Sequence, residues 1–161
     1  MRLKLLALLL LATPAFAESP PAPLPPGRIT VPGPQGGSGE APVYLSADWG
    51  QPLPGITHAV IIQHGLSRDA IGYFNGGLRA RQAAGPAGAS TLILAPRILD
   101  DQDIKDLGAP DDLLRWRHGN WAGGDPANNP VPASSFSVFD AIIAKLADRH
   151  FFPDLKEIVV A

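Results

Sequence analysis

Apolar residues in this chain gather in short runs, separated by amphipathic or polar stretches of greater length. Val43-Tyr44-Leu45 and Ala59-Val60-Ile61-Ile62 read as strands, the second a buried one because its run is continuous. From about Ala70 to Ala84, Ile71, Phe74, Leu78 and Arg81 recur at helical spacing. A helix is expected there, weakened by roughly 1 kcal/mol for each of Gly76 and Gly77. Thr91-Leu92-Ile93-Leu94-Ala95, closed by Pro96, suits a parallel strand covered on both faces. Residues 97–133 carry Gly, Pro, Asn and Asp throughout and are expected to form a long loop over a pocket. Ser134 or Ser135 can then cap a helix, running to about Arg149, with Val138, Phe139, Ile142, Ile143 and Leu146 on one face. Pro153 breaks the chain, and Leu155 to Ala161 reads as a last strand around Ile158-Val159-Val160. Strand, helix, strand, helix, strand in that order implies an α/β fold, a mostly parallel sheet with right-handed crossovers and helices on both faces.

The first residues change the picture of compartment. Arg2 and Lys4, the apolar run Leu5 to Leu11 and Ala15-Phe16-Ala17 have the three parts of a signal peptide, residues 1–17, with cleavage expected after Ala17. The apolar run is far shorter than the roughly 20 residues that span a bilayer, so an exported protein, periplasmic or secreted and without a membrane span, is expected. Residues 18–40 are dominated by proline, then by Gly36-Gly37-Ser38-Gly39, and read as a disordered linker with polyproline character. About 120 residues remain for one modest domain, 41–161. With no cysteine, neither disulfides nor thiolate metal sites can support it. Loss of Arg2 and Lys4 leaves 11 basic residues of the original 13 against 15 acidic ones. That mild acidity argues against a nucleic-acid partner.

Candidate chemistry centres on Gln63-His64-Gly65-Leu66-Ser67-Arg68, where the first buried strand runs into a His-Gly pair. This arrangement resembles the oxyanion loop of α/β-hydrolases, which lies between the third strand and the first helix of that family. The later segments are similar in order to its fourth strand, second helix and fifth strand, so the resemblance covers most of 41–161. It implies an α/β-hydrolase fold truncated after the fifth strand, and a carboxylic ester as small-molecule substrate. Ester cleavage develops negative charge on the carbonyl oxygen, and a preorganised N–H donor aimed at it is worth about 2.7–4 kcal/mol. By resemblance Leu66 supplies such an N–H, Gly65 lets the backbone turn closely, His64 positions the loop, and no metal or organic cofactor takes part.

The same resemblance places the nucleophile in Gly-x-Ser-x-Gly directly after the fifth strand. Ser38, Ser67 and Ser90 each follow a glycine two residues back, but none has one two residues ahead. The nucleophile, acid and base are therefore expected beyond Ala161, and the chain reads as an N-terminal fragment, inactive alone. Asp140, Asp148, His118 and His150 precede that point and are not promoted to catalytic roles. His58 and His64 share a strand face but lie about 20 Å apart, too far to share a metal. The acidic group Asp100, Asp101, Asp103, Asp106, Asp111 and Asp112 departs from calcium-loop spacing and reads as a solvated loop. Trp116 and Trp121, in a polar Gly-rich stretch, either rim the pocket or cover the sheet as a minor core. The alternative to a hydrolase is a non-catalytic secreted binding module with the Trp116/Trp121 loop as its contact surface.

Overall fold

A computed structural model describes residues 22–117 and 119–161. The segment expected to be a signal peptide, the start of the expected linker and His118 lie outside the described residues. The elements are β1 (Gly27–Pro32), β2 (Ser38–Leu45), β3 (His58–Ile61), α1 (Ala70–Ala83), β4 (Thr91–Pro96), β5 (Leu99–Asp100), α2 (Asp101–Leu107), β6 (Arg115–Trp116), α3 (Ser135–Ala147) and β7 (Glu157–Val160). The main sheet has the order β1-β2-β4-β3-β7. Its β4-β3-β7 half is parallel, while β2 runs antiparallel to both β1 and β4. The architecture is mixed α/β, and no helix among the described residues is long and apolar enough to cross a membrane.

The antiparallel half begins inside the segment expected to be a disordered linker. Ile29 and Val31 alternate with Arg28 and Thr30, which directs both apolar side chains to one face, and Val31 is fully buried there. The glycine run supplies the hairpin connection: Gly36 and Gly37 take φ of 95° and 72°, and Gly33 N–H bonds to Gly37 C=O at 3.0 Å. Still earlier, the carbonyl of Pro23 accepts from Tyr44 Oη at 2.8 Å and from Arg97 Nη1 at 3.2 Å. The chain is thus tied to the sheet from Ala22 and Pro23 onward.

Strand alternation gives the sheet two apolar faces. Val31, Ala41, Val43, Ala59, Ile61, Leu92 and Leu94 meet Val138, Ile142 and Leu146 of α3 in the main core. Ser134 is the N-cap of α3, its Oγ accepting from Phe136 N–H at 3.1 Å. On the opposite face α1 packs over β4, with Tyr44, Ala70 and Ala95 joined by Ile71 and Phe74. The two glycines of α1 differ sharply in surroundings. A β-carbon on Gly77 would lie 2.4 Å from Ile62 Cδ1 and 2.8 Å from Ile93 Cγ2, while one on Gly76 would meet only Arg79 Nη2 at 3.8 Å. Gly76→Ala is therefore expected to raise stability by about 0.5–1 kcal/mol. Gly77→Ala gains the same propensity but overpacks the sheet, for a net loss on the order of 1 kcal/mol. Urea denaturation of the two variants checks this, and equal stabilisation by both would refute the close helix–sheet approach.

Residues 97–133 are more ordered than the expected loop. β5 and β6 pair in parallel, and Asp100 opens α2 as a capping box, its Oδ1 accepting from Gln102 and Asp103 N–H at 2.9 Å each while Asp103 Oδ2 accepts from Asp100 N–H at 3.0 Å. Gly108 closes the helix at φ 56°. Buried Ile98, Leu99, Leu113, Leu114, Ala127 and Ala133 pin the segment down. Its polar residues thus punctuate short elements anchored by these buried apolar side chains.

Candidate functional site

The loop after β3 and the residue after β4 emerge at the carboxyl edge of the parallel strands, where crevices form in open α/β sheets. β7 lies on the other side of β3, and Ala161 continues its ladder: Ala161 N–H bonds to Ile61 C=O, and Gln63 N–H to Ala161 C=O, both at 2.9 Å. The Gln63–Arg68 loop and the end of β7 are therefore direct neighbours.

His64 is 2% exposed, and both its ring nitrogens are engaged. Nδ1 stands 2.8 Å from the Gly65 carbonyl, and Nε2 accepts from Ile98 N–H at 3.0 Å. This pattern requires the neutral ring with its proton on Nδ1. Burial holds the His64 pKa below its ordinary value; the Gly65 carbonyl opposes that shift, and Arg68 and Arg97 add to it. The Trp121 ring meets the imidazole edge-on, with centroids 5.0 Å apart. His64 therefore has no free nitrogen with which to act as a base, and its place is structural, at the root of the loop.

Leu66, by contrast, is 64% exposed, and no described residue accepts a hydrogen bond from its N–H. Gly65 does not take the left-handed conformation; Arg68 does, at φ 57°. A β-carbon on Gly65 would approach Tyr73 Oη no closer than 3.4 Å. The turn spans Gly65 to Arg68, closed by Arg68 N–H donating to Gly65 C=O at 3.0 Å, and its left-handed residue is Arg68. Arg68 Nε bonds to Asp103 Oδ2 at 2.7 Å and its Nη2 pairs with Asp100 Oδ2 at 3.0 Å. Two of the acidic residues read as a solvated loop are, in this way, partners of the site loop.

Trp116 and Trp121 both belong to the main core, at 1% and 7% exposed. Trp116 Nε1 donates to Asp125 C=O at 2.9 Å. Both side chains are thus packed within the core, with little of either ring open to solvent. Their neighbours Arg117, Asn120, Asp125, Pro126 and Asn128 line a polar hollow of about 290 Å³. His58 sits at the start of β3, 3.6 Å from Glu157, and is separated from His64 by the strand. Asp148 and His150 follow α3 and pair locally, His150 N–H bonding to Asp148 Oδ1 at 2.9 Å. Phe151 next to them bonds to Leu53 ahead of β3, which puts this group at the opposite edge of the sheet. Comparison with protein-family models, with curated proteins and with solved structures finds no match to this chain.

Proposed function

We propose that this chain builds the oxyanion-loop side of an exported α/β-hydrolase, and that the whole protein hydrolyses carboxylic esters. One observation carries the reading: the loop after the third strand, where the N–H of exposed Leu66 is engaged by no described residue, lies against the carboxyl end of β7. An oxyanion hole of this class needs two donors, one from that loop and one from the residue after the nucleophile. Adjacent parallel strands β3 and β7 put the loop beside the end of β7, so a donor following β7 would stand near Leu66. The mechanism is attack by a serine on an elbow after β7, with proton transfer through a histidine and charge stabilisation partly from Leu66 N–H. No serine of this chain has the Gly-x-Ser-x-Gly setting, so on this reading its nucleophile, acid and base come from another part of the whole protein. The elements agree in order as well, since α1 follows β3, α3 follows β4 and precedes β7, and the helices cover opposite faces. Burial of Trp116 and Trp121, at 1% and 7% exposed, gives the binding-module alternative less support than the hydrolase reading.

Two linked experiments test this. The 161-residue chain is expected to leave nitrophenyl esters and a fluorophosphonate probe unreacted, because none of its serines stands in a Gly-x-Ser-x-Gly setting and Ser67, in the site loop, has no free imidazole beside it among the described residues. Stoichiometric labelling of Ser67 would overturn the assignment. DNA continuing from codon 161, in frame or shifted, is expected to encode Gly-x-Ser-x-Gly within a few codons, and the polypeptide that includes it to label at that serine. Unrelated sequence in all three frames would sink the hydrolase reading.

A further inference from the structure

We propose that Arg68 is a positioning residue whose guanidinium, bridging Asp100 and Asp103, holds residues 64–67 in the shape that presents Leu66 N–H; its catalytic meaning rests on the hydrolase reading above. Arg68 is the one non-glycine among the described residues with positive φ. A residue with a β-carbon keeps that conformation only when its surroundings hold it. Its side chain is 17% exposed and those of Asp100 and Asp103 are 5% and 12%, so the ion pairs are sheltered from water. The partners are themselves fixed, because the same two aspartates form the capping box of α2. Arg97 adds a second cation, its Nη2 lying 3.8 Å from Asp103 Oδ1.

At the other end of the loop, His64 Nε2 accepts from Ile98 N–H. Both ends are thus fastened to one segment, residues 97–103, and Leu66 and Ser67 stand exposed between the fastenings. Glycine does not dictate this shape, since Gly65 lies outside the left-handed region. A planar guanidinium can bridge two carboxylates at once, which a lysine ammonium cannot do in the same geometry.

Arg68→Gly separates backbone from side chain, because glycine tolerates the left-handed conformation better than arginine. If residue 68 only had to turn, the variant would match or exceed the parent in loop order. We expect instead that hydrogen exchange at Ile98 N–H accelerates roughly ten- to a hundredfold, the size set by loss of sheltered charge-assisted bonds. Proteolysis between Leu66 and Ser67 should rise with it, while the amides of Val60 and Leu92 exchange as in the parent. Millimolar ethylguanidinium should restore protection, and an alkylammonium ion of equal charge should not. Parental exchange at Ile98, or equal acceleration at Val60 and Leu92, overturns the proposal. Should Arg68→Gly fail to fold, Arg68→Lys is expected to show a smaller acceleration confined to the loop, and parental exchange in it is equally decisive. Every readout uses the 161-residue chain without hydrolysis. A failure here therefore leaves the elbow experiment standing, and a failure there leaves the clamp standing.

Discussion

Replacing Trp116 by alanine is expected to lower unfolding free energy by about 3–5 kcal/mol, the range for a large aromatic removed from a packed interior. Since a domain of this size holds on the order of 5–15 kcal/mol in all, such a loss approaches the limit of folding. The reason is position: Trp116 is 1% exposed in the core that joins the sheet to α3, and its indole N–H satisfies the Asp125 carbonyl. Trp116→Phe keeps most of the ring and leaves that carbonyl without its donor, so a smaller cost of about 1–2 kcal/mol is expected. Urea denaturation of the three proteins gives the series. A loss under about 1 kcal/mol for the alanine variant, typical of surface positions, would return Trp116 to the rim of a pocket.

A second large effect is expected on acidification, through His64. The folded protein holds this imidazole neutral and below its ordinary pKa of 6.5, chiefly by burial, whereas the unfolded chain titrates it normally. Between those two values the unfolded state binds the extra proton. Stability from this residue is therefore complete above about pH 6.5 and falls as pH drops toward the folded pKa, by at most about 1.4 kcal/mol per pH unit. Protonation would also set a second N–H against Ile98 N–H, which now donates to Nε2. His64→Gln keeps an acceptor near Ile98 without a titrating group, and should remove this part of the acid sensitivity. His64→Leu leaves the Ile98 N–H buried and unpaired, at a cost of roughly 1–3 kcal/mol even at neutral pH. Urea midpoints at pH 7.5 and pH 5 for parent and variants provide the measurement. An acid response of unchanged size in His64→Gln would show that His64 is not its source.

Local periodicity determined much of this protein. The runs at Ala59 to Ile62 and Thr91 to Ala95, the helical spacing of Val138, Ile142 and Leu146, and the strand at Ile158 to Val160 all appear where the side-chain pattern places them. That pattern survives because burial on a sheet face or helix stripe depends on spacing within a few residues. Two further elements left signals that composition masked. Ile29 and Val31 alternate beside a Gly-rich turn in a stretch crowded with proline, and Asp100 with Asp103 forms a capping box inside an acidic run. The His-Gly pair marked the loop, but its neighbours in sequence said little about what holds it.

Tertiary structure alone decided the rest, because those choices depend on which distant segments meet. Arg68 and Asp103 lie 35 positions apart, and no local rule joins them. His64 could have been a ligand, a base or a buried prop until Ile98, 34 residues later, occupied its second nitrogen. Trp116 and Trp121 carry the same side chains whether they line a pocket or fill a core, and only packing beneath α3 settled their burial. The placement of β7 beside β3, which brings the loop and Ala161 together, is likewise a matter of strand order. Spacing along a chain fixes which way a side chain faces, whereas strand order and long-range ion pairs follow from the free energy of the assembled sheet and its core.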